Sequence, residues 1–206
     1  MRHKAFREKK INVIDWDIDF LVASGHKMYG PTGTGFLYIK PGVEKEMRPF
    51  TAGGGMILEV TQDAVTYQDP PEGFEAGTPH IAGNIVLGTA VDYIMSHGIE
   101  EFEKTEQKVT RYAYEKLSEI EGLHLFSHPK THGVLSFTMD GVHPHDIGEI
   151  LNRRGVAIRT GNHCAMPIHH RFGIPATARI SLACYNTTED IDTAIEGLNE
   201  VKRLFA

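Results

Sequence analysis

The apolar run Phe20–Ala23, FLVA, stops at Ser24-Gly25-His26-Lys27, and the turn Gly30-Pro31-Thr32-Gly33-Thr34-Gly35 precedes the next apolar stretch, Phe36 to Ile39. A continuous apolar run without alternation suits a strand buried on both faces of a parallel sheet, since a half-exposed strand would alternate. Lys27 would then stand at the carboxyl end of that strand, the edge where ligands of open α/β sheets gather. The turn is not a phosphate loop: the lysine precedes the glycines, no Ser or Thr follows it, and no GxGxxG spacing occurs. Nucleotide binding loses its main support.

Downstream, Gly53-Gly54-Gly55 marks a mobile or closely packed loop and Phe74 to Pro79, FEAGTP, a second turn. A helix follows in which Ile85, Ala90, Val91, Ile94 and Met95 keep helical spacing, ended by His97-Gly98. The pattern then changes, which places a domain boundary there and gives two expected domains, 1–97 and 98–206. The second reads as a smaller α+β unit. Its first helix carries Phe102, Val109, Tyr112, Ala113, Leu117 and Ile120, and strands follow at Leu123 to Phe126 and Val134 to Met139. A helix over Asp146 to Arg153, strands at Val156 to Arg159 and Ala178 to Cys184, and a last helix complete it. That helix is capped near Thr187 or Thr188 and buries Ile191, Ala194, Ile195, Leu198, Val201 and Leu204.

A net charge of -6 argues against a nucleic-acid or anionic-membrane binder. The basic cluster Arg2 to Lys10 reads as a solvated helix or strand approach. It lacks the apolar core of a secretory signal, and no apolar run reaches the roughly 20 residues of a membrane span. The expected location is the cytoplasm. Two cysteines are too few for a secreted disulfide framework, so Cys164 and Cys184 are weighed singly.

Lys27 is either an exposed turn lysine or, partly desolvated at a strand end, a Schiff-base nucleophile with Ser24 and His26 placed to bind an anion beside it. Cys164 sits in RTGNHCAMP, Arg159 to Pro167, with His163 beside it and Arg159 nearby. Cationic neighbours in a partly exposed loop favour the reactive thiolate. Cys184 follows Ile180 and Leu182 at every second position and should face the core. Arg179 lies on the other face of that strand, fit to grip a carboxylate or to form a surface salt bridge. His163, Cys164, His169 and His170 have zinc-ligand chemistry, but adjacent histidines suit one tetrahedral ion poorly, and no metal is expected. His143 and His145 mark a loop and the start of the helix over Asp146.

Taken together, SGHKMYGPTGTGFLY, FEAGTP, RTGNHCAMP and ARISLACYNT resemble the Suf-type cysteine desulfurases, in the class V aminotransferase group of fold-type I pyridoxal-phosphate enzymes. The resemblance runs from about Asn12 to Phe205. It implies an α/β fold: part of the large pyridoxal-phosphate-binding domain followed by the smaller α+β domain. It further implies that Lys27 holds pyridoxal 5'-phosphate as a Schiff base and moves the substrate's α-proton. Ser24 and His26 match phosphate-side positions, and Thr78 matches a residue that reaches the cofactor of a neighbouring subunit, hence a homodimer. Arg179 matches the substrate-carboxylate clamp and Arg159 a further active-site arginine. Cys164 matches the nucleophile that takes sulfur from L-cysteine for iron–sulfur cluster assembly, leaving L-alanine and a persulfide for an acceptor of the SufE or SufU kind. A second histidine is commoner in the family where Asn162 stands, and an amide can still hydrogen-bond there.

The family carries a long amino-terminal portion ahead of the SGHK strand. It supplies an aspartate for the pyridine nitrogen, a histidine stacked on the ring and an amide at the ring oxygen. The chain is therefore expected to be a carboxyl-terminal fragment, half of a split enzyme completed by a separate amino-terminal half, or a domain in another assembly. In each case the FLVA strand would lack neighbours and expose apolar surface. Selenocysteine lyase chemistry, a persulfide carrier and an interaction module without cofactor are the alternatives.

Overall fold

The computed structural model describes residues 11–205, so the basic cluster Arg2 to Lys10 lies outside the described residues. The chain forms two compact units, Met1–Glu100 and Glu101–Ala206. Among the described residues no helix is long and apolar enough to cross a membrane.

In the first unit, β1 (Phe20–Ser24) pairs antiparallel with β2 (Gly35–Ile39), Ser24 facing Gly35 and Ala23 facing Phe36. The expected parallel arrangement is therefore replaced by a hairpin. The run FLVA does carry apolar side chains on both faces, but only one face is covered. Ala23 is buried, whereas Phe20 and Val22 are 49% and 61% exposed. A second hairpin, β3 (Ile57–Val60) and β4 (Val65–Tyr67), was not legible in so short a pattern. The glycine triplet is closely packed at its first member: a Cβ on Gly53 would come within 3.2 Å of Ala76, and the Gly77 amide donates to the Gly54 carbonyl at 2.8 Å.

Helix α1 (Ile81–His97) forms where expected, its amino end capped by His80 accepting from the Gly83 amide. Its buried stripe is Gly83, Leu87 and Ile94, while Ile85 and Met95, expected to face a core, are 67% and 75% exposed. The helix is apolar nearly all round, the composition of a helix packed on more than one side.

In the second unit, four antiparallel strands lie in the order β5 (Leu123–Leu125), β6 (Val134–Met139), β8 (Thr177–Ser181), β7 (Arg159–Gly161). β6 alternates as a half-buried strand must, Leu135, Phe137 and Met139 turning inward. They meet Val109, Ala113 and Leu117 of α2 (Ile99–Ser118), Ile147 and Leu151 of α3 (Pro144–Arg153), and Ile191, Leu198 and Val201 of α5 (Thr188–Phe205). Helix α5 opens with reciprocal capping: the Asp190 amide donates to Thr187 Oγ1 and the Thr187 amide to Asp190 Oδ2. Leu204, expected in the core, is exposed on its last turn.

Two strand assignments shift. The strand expected over Val156 to Arg159 begins only at Arg159, because residues 154–156 still complete the end of α3. The Gly155 amide bonds to the Asn152 carbonyl and the Val156 amide to that of Leu151. The strand expected to reach Cys184 ends at Ser181, so Leu182 and Ala183 are both buried and Cys184, half-buried, lies beyond it rather than facing the core in register. Helix α4 (Met166–Phe172) was missed altogether. A proline in its first turn and a left-handed Gly173 after its end bound it, and Phe172 packs on Phe126 with ring centroids 5.4 Å apart.

Candidate active-site residues in the two units

Ser24, His26 and Lys27 follow one another from the last residue of β1 through a 3₁₀ turn, Gly25–Lys27. The turn is tight because the Gly25 amide donates to the Thr34 carbonyl at 2.8 Å and the Gly25 carbonyl receives the Met28 and Gly30 amides. Lys27 is half-buried and His26 exposed. None of the three side chains has a hydrogen bond or ion pair among the described residues. A hydroxyl, an imidazole and a primary amine are thus left available in four consecutive positions. Thr78 lies in the exposed loop ahead of α1.

The hairpin holding this turn depends on Gly35, where a Cβ would come within 2.4 Å of the Ala23 carbonyl oxygen. Gly35→Ala must part β2 from β1 next to the lysine turn. It is expected to cost about 1–3 kcal/mol, read as a lower thermal midpoint with faster amide exchange at Gly25. An unchanged midpoint would show that the hairpin yields without loss.

In the second unit, Ser136, Arg179 and Arg159 form a row across β6, β8 and β7, each directly opposite the next, on the face turned away from α2, α3 and α5. Two like charges directly opposite each other on antiparallel strands repel. Burial first, then the like charge of Arg159, hold the Arg179 guanidinium below its ordinary pKa, and the Cys164 sulfur opposes them. Its Nε is buried without a partner. Such a group carries an unmet need for an acceptor.

Cys164 is exposed, and Arg159 donates through Nη2 to its Sγ at 3.8 Å. The cationic neighbour expected from the sequence is thus the arginine. His163 turns away: its Nε2–H donates to the Thr177 carbonyl at 3.1 Å, leaving Nδ1 buried and unpartnered. His163 and Cys164 both adopt left-handed backbone, with φ of 53° and 60°. That conformation persists only where surroundings enforce it. Asn162 enforces it from within, its side-chain oxygen accepting the Cys164 amide at 3.1 Å and its carbonyl the Ala165 amide at 2.8 Å. The amide at 162 thus does hydrogen-bond, as expected.

Buried His169 fastens the other end of the loop, donating from Nδ1 to the Ala165 carbonyl and accepting at Nε2 from Thr177 Oγ1. Its spacing, four residues after Ala165 on a helix opened by Pro167, was the available signal for this role. With both ring nitrogens of His169 engaged, the zinc alternative loses that ligand. Among the described residues no group of three His, Cys, Asp or Glu is placed to hold a metal ion.

Burial, ahead of the charge of Arg179, depresses the pKa of His163. A histidine depressed in the folded state binds its proton more readily when unfolded. Its contribution is intact above the ordinary value of about 6.5 and is lost as pH falls through the folded pKa. Lowering the pH from neutral towards 5 should therefore destabilise the second unit, and His163→Gln should flatten that part of the profile. Urea titrations at several pH values check this, and an identical slope in the variant would refute it.

The sequence profile described as Aminotransferase class-V matches residues 3–193. The chain belongs to the class V aminotransferase family. A probable cysteine desulfurase of Halobacterium salinarum is 43% identical over 200 residues, covering 96% of this class V chain and 48% of the relative. A cysteine desulfurase of Pectobacterium carotovorum is 42% identical over 202 residues, 98% of this chain and 50% of the other. Among solved structures, the cysteine desulfurase CsdA (S-sulfonic acid) of Escherichia coli superposes with a TM-score of 0.94 at 34% identity, over 100% of this chain and 51% of that one. The apo cysteine desulfurase of Thermococcus onnurineus gives 0.91 at 36% identity, over 97% and 50%. The mixed α/β fold expected from the resemblance is that of these class V structures in the part they share. The chain spans about half the length of the curated relatives it matches.

Proposed function

We propose that this chain carries the lysine and cysteine of a pyridoxal 5'-phosphate-dependent cysteine desulfurase, which takes sulfur from L-cysteine and leaves L-alanine and a persulfide on Cys164. The reading rests on one observation above all: Arg159 on the exposed sulfur of Cys164, directly across the strands from an arginine whose Nε lacks an acceptor. The similarity to proteins named cysteine desulfurase supports it.

The residues of the first unit suit the cofactor. Lys27 offers the amine for its aldehyde, and Ser24 and His26 offer groups for its phosphate, none held by another side chain among the described residues. When bound, pyridoxal phosphate supplies the electron sink for breaking bonds at the substrate's α- and β-carbons. Lys27 then carries the proton to and from the α-carbon. Arg179 holds the substrate carboxylate by paired hydrogen bonds. The Cys164 thiolate, held by Arg159, attacks the substrate sulfur, and the S–S bond forms as the C–S bond breaks. Exposed Thr78 is assigned to the cofactor phosphate of a second copy in a homodimer.

The short connection from β7 to α4 gives Cys164 little reach. That favours the Suf branch and a dedicated acceptor of the SufE or SufU kind, to which we assign service in iron–sulfur cluster assembly in the cytoplasm. A separate amino-terminal half is the further partner we assign.

Incubation with pyridoxal phosphate, borohydride reduction and peptide mapping should place the pyridoxyl group on Lys27 and lose it in Lys27→Ala. In a parallel sample alkylated without borohydride, L-cysteine should load one sulfur atom on Cys164, read as the added mass on its peptide. Cys164→Ser should abolish that sulfur while Lys27 still labels. Label spread evenly over surface lysines would sink the proposal.

A further inference from the structure

A groove of about 670 Å³ runs between α2 and the loop that leads into β6, and none of the residues assigned above lines it. Helix α2 lines it with Lys104, Lys108 and Arg111, and the loop adds Lys130 and His132. Glu115 is the single carboxylate in the lining. Lys104 pairs with Glu101, whereas Lys108, Arg111 and Lys130 have no ion pair among the described residues. The chain carries an excess of acidic residues, 27 against 21 lysines and arginines, so this basic groove is not the residue of a generally basic surface. The three α2 cations stand at i, i+4 and i+7 on one stripe, where like charges weaken a helix. A sequence with carboxylates to spare has left Lys108 and Arg111 without an ion pair among the described residues at that cost.

We propose that the groove docks an acidic segment of a partner protein. From Lys104 to Arg111 the cations extend about 10 Å along the helix at 1.5 Å per residue, and Lys130 lies across from them. That spread fits carboxylates along an extended peptide better than one compact phosphate, which needs donors converging on a point. Nucleic acid fits less well. Glu115 would face its backbone, and Tyr112, the one phenol ring in the lining, is tied by its hydroxyl to Asp192 at 2.6 Å.

The probe is a fluorescein-labelled octaglutamate peptide, followed by anisotropy with the whole chain at low salt. Binding should weaken as salt rises. Lys108→Gln with Arg111→Gln should weaken it at least tenfold without lowering the thermal midpoint, because neutral side chains remove the like-charge neighbours on α2. Lys108→Arg with Arg111→Lys should retain it, and the same neutralisation of Lys45 and Arg203 elsewhere should leave it unchanged. Absent binding, equal loss from the Lys45 and Arg203 neutralisations, displacement by millimolar inorganic phosphate, or equally tight capture of a labelled oligothymidylate would each overturn the proposal.

Discussion

Phe137→Ala is expected to lower the unfolding free energy of the second unit by about 3–5 kcal/mol. Phe137 is the largest of the fully buried side chains, and it sits on β6, between β5 and β8. Its neighbours in the core come from three helices as well as from β8, so truncation leaves a cavity that no single element can close by shifting. A domain is stable by about 5–15 kcal/mol, so the loss is a large share of the total. Urea unfolding followed by circular dichroism should show a lower midpoint with a similar slope. Leu151→Ala, equally buried on α3, should fall in the range of about 2–5 kcal/mol. A loss under about 1 kcal/mol at Phe137 would mean that the core is not packed as described.

The elements that could be read from sequence are those whose pattern depends on nothing beyond themselves. β6 alternates strictly, and α5 announces itself with Thr187 and Thr188, so both were legible to within a residue or two. The start of β7 was not, because Val156 looks like a strand residue while its amide still serves the end of α3. Helix α4 was hidden by its histidines, one of which, His169, is buried only because Thr177 and Ala165 meet its ring nitrogens. The pairing of β1 is the deeper case. An unalternating apolar run states that two faces want covering but not which partner supplies the hydrogen bonds, and here β2 does so antiparallel.

The candidate site divides in the same way. The identities of Lys27 and Cys164 stood out by residue type and loop composition, and so did the separation of Arg179 from the apolar face of its strand. What pairing alone could reveal is that Arg159 and Arg179 oppose each other and that one of them reaches the sulfur. The shift of β7 by three residues creates that opposition, since Arg159 becomes the first residue of the strand rather than the last. The left-handed backbone at Cys164 was equally invisible, since cysteine does not favour it, whereas histidine is one of the few non-glycine types enriched there.

Arg179→Met should separate stability from function. In the folded chain the guanidinium is partly desolvated, faces Arg159 and leaves Nε without an acceptor. Replacing such a charge by an apolar chain of similar length removes the repulsion and the unmet donor, so the thermal midpoint should hold or rise. The same change removes the fork proposed to grip the substrate carboxylate. Truncating one side of a desolvated charge pair costs about 2–5 kcal/mol, so sulfur loading of Cys164 from L-cysteine should fall by about 30- to 5,000-fold at about 1.36 kcal/mol per decade. Arg179→Lys should preserve the charge yet recover little of the loading, since an ammonium cannot form two parallel hydrogen bonds. If Arg179→Met instead lowered the midpoint while loading of Cys164 persisted, the arginine would be a structural residue of β8, and the carboxylate would have to be held elsewhere.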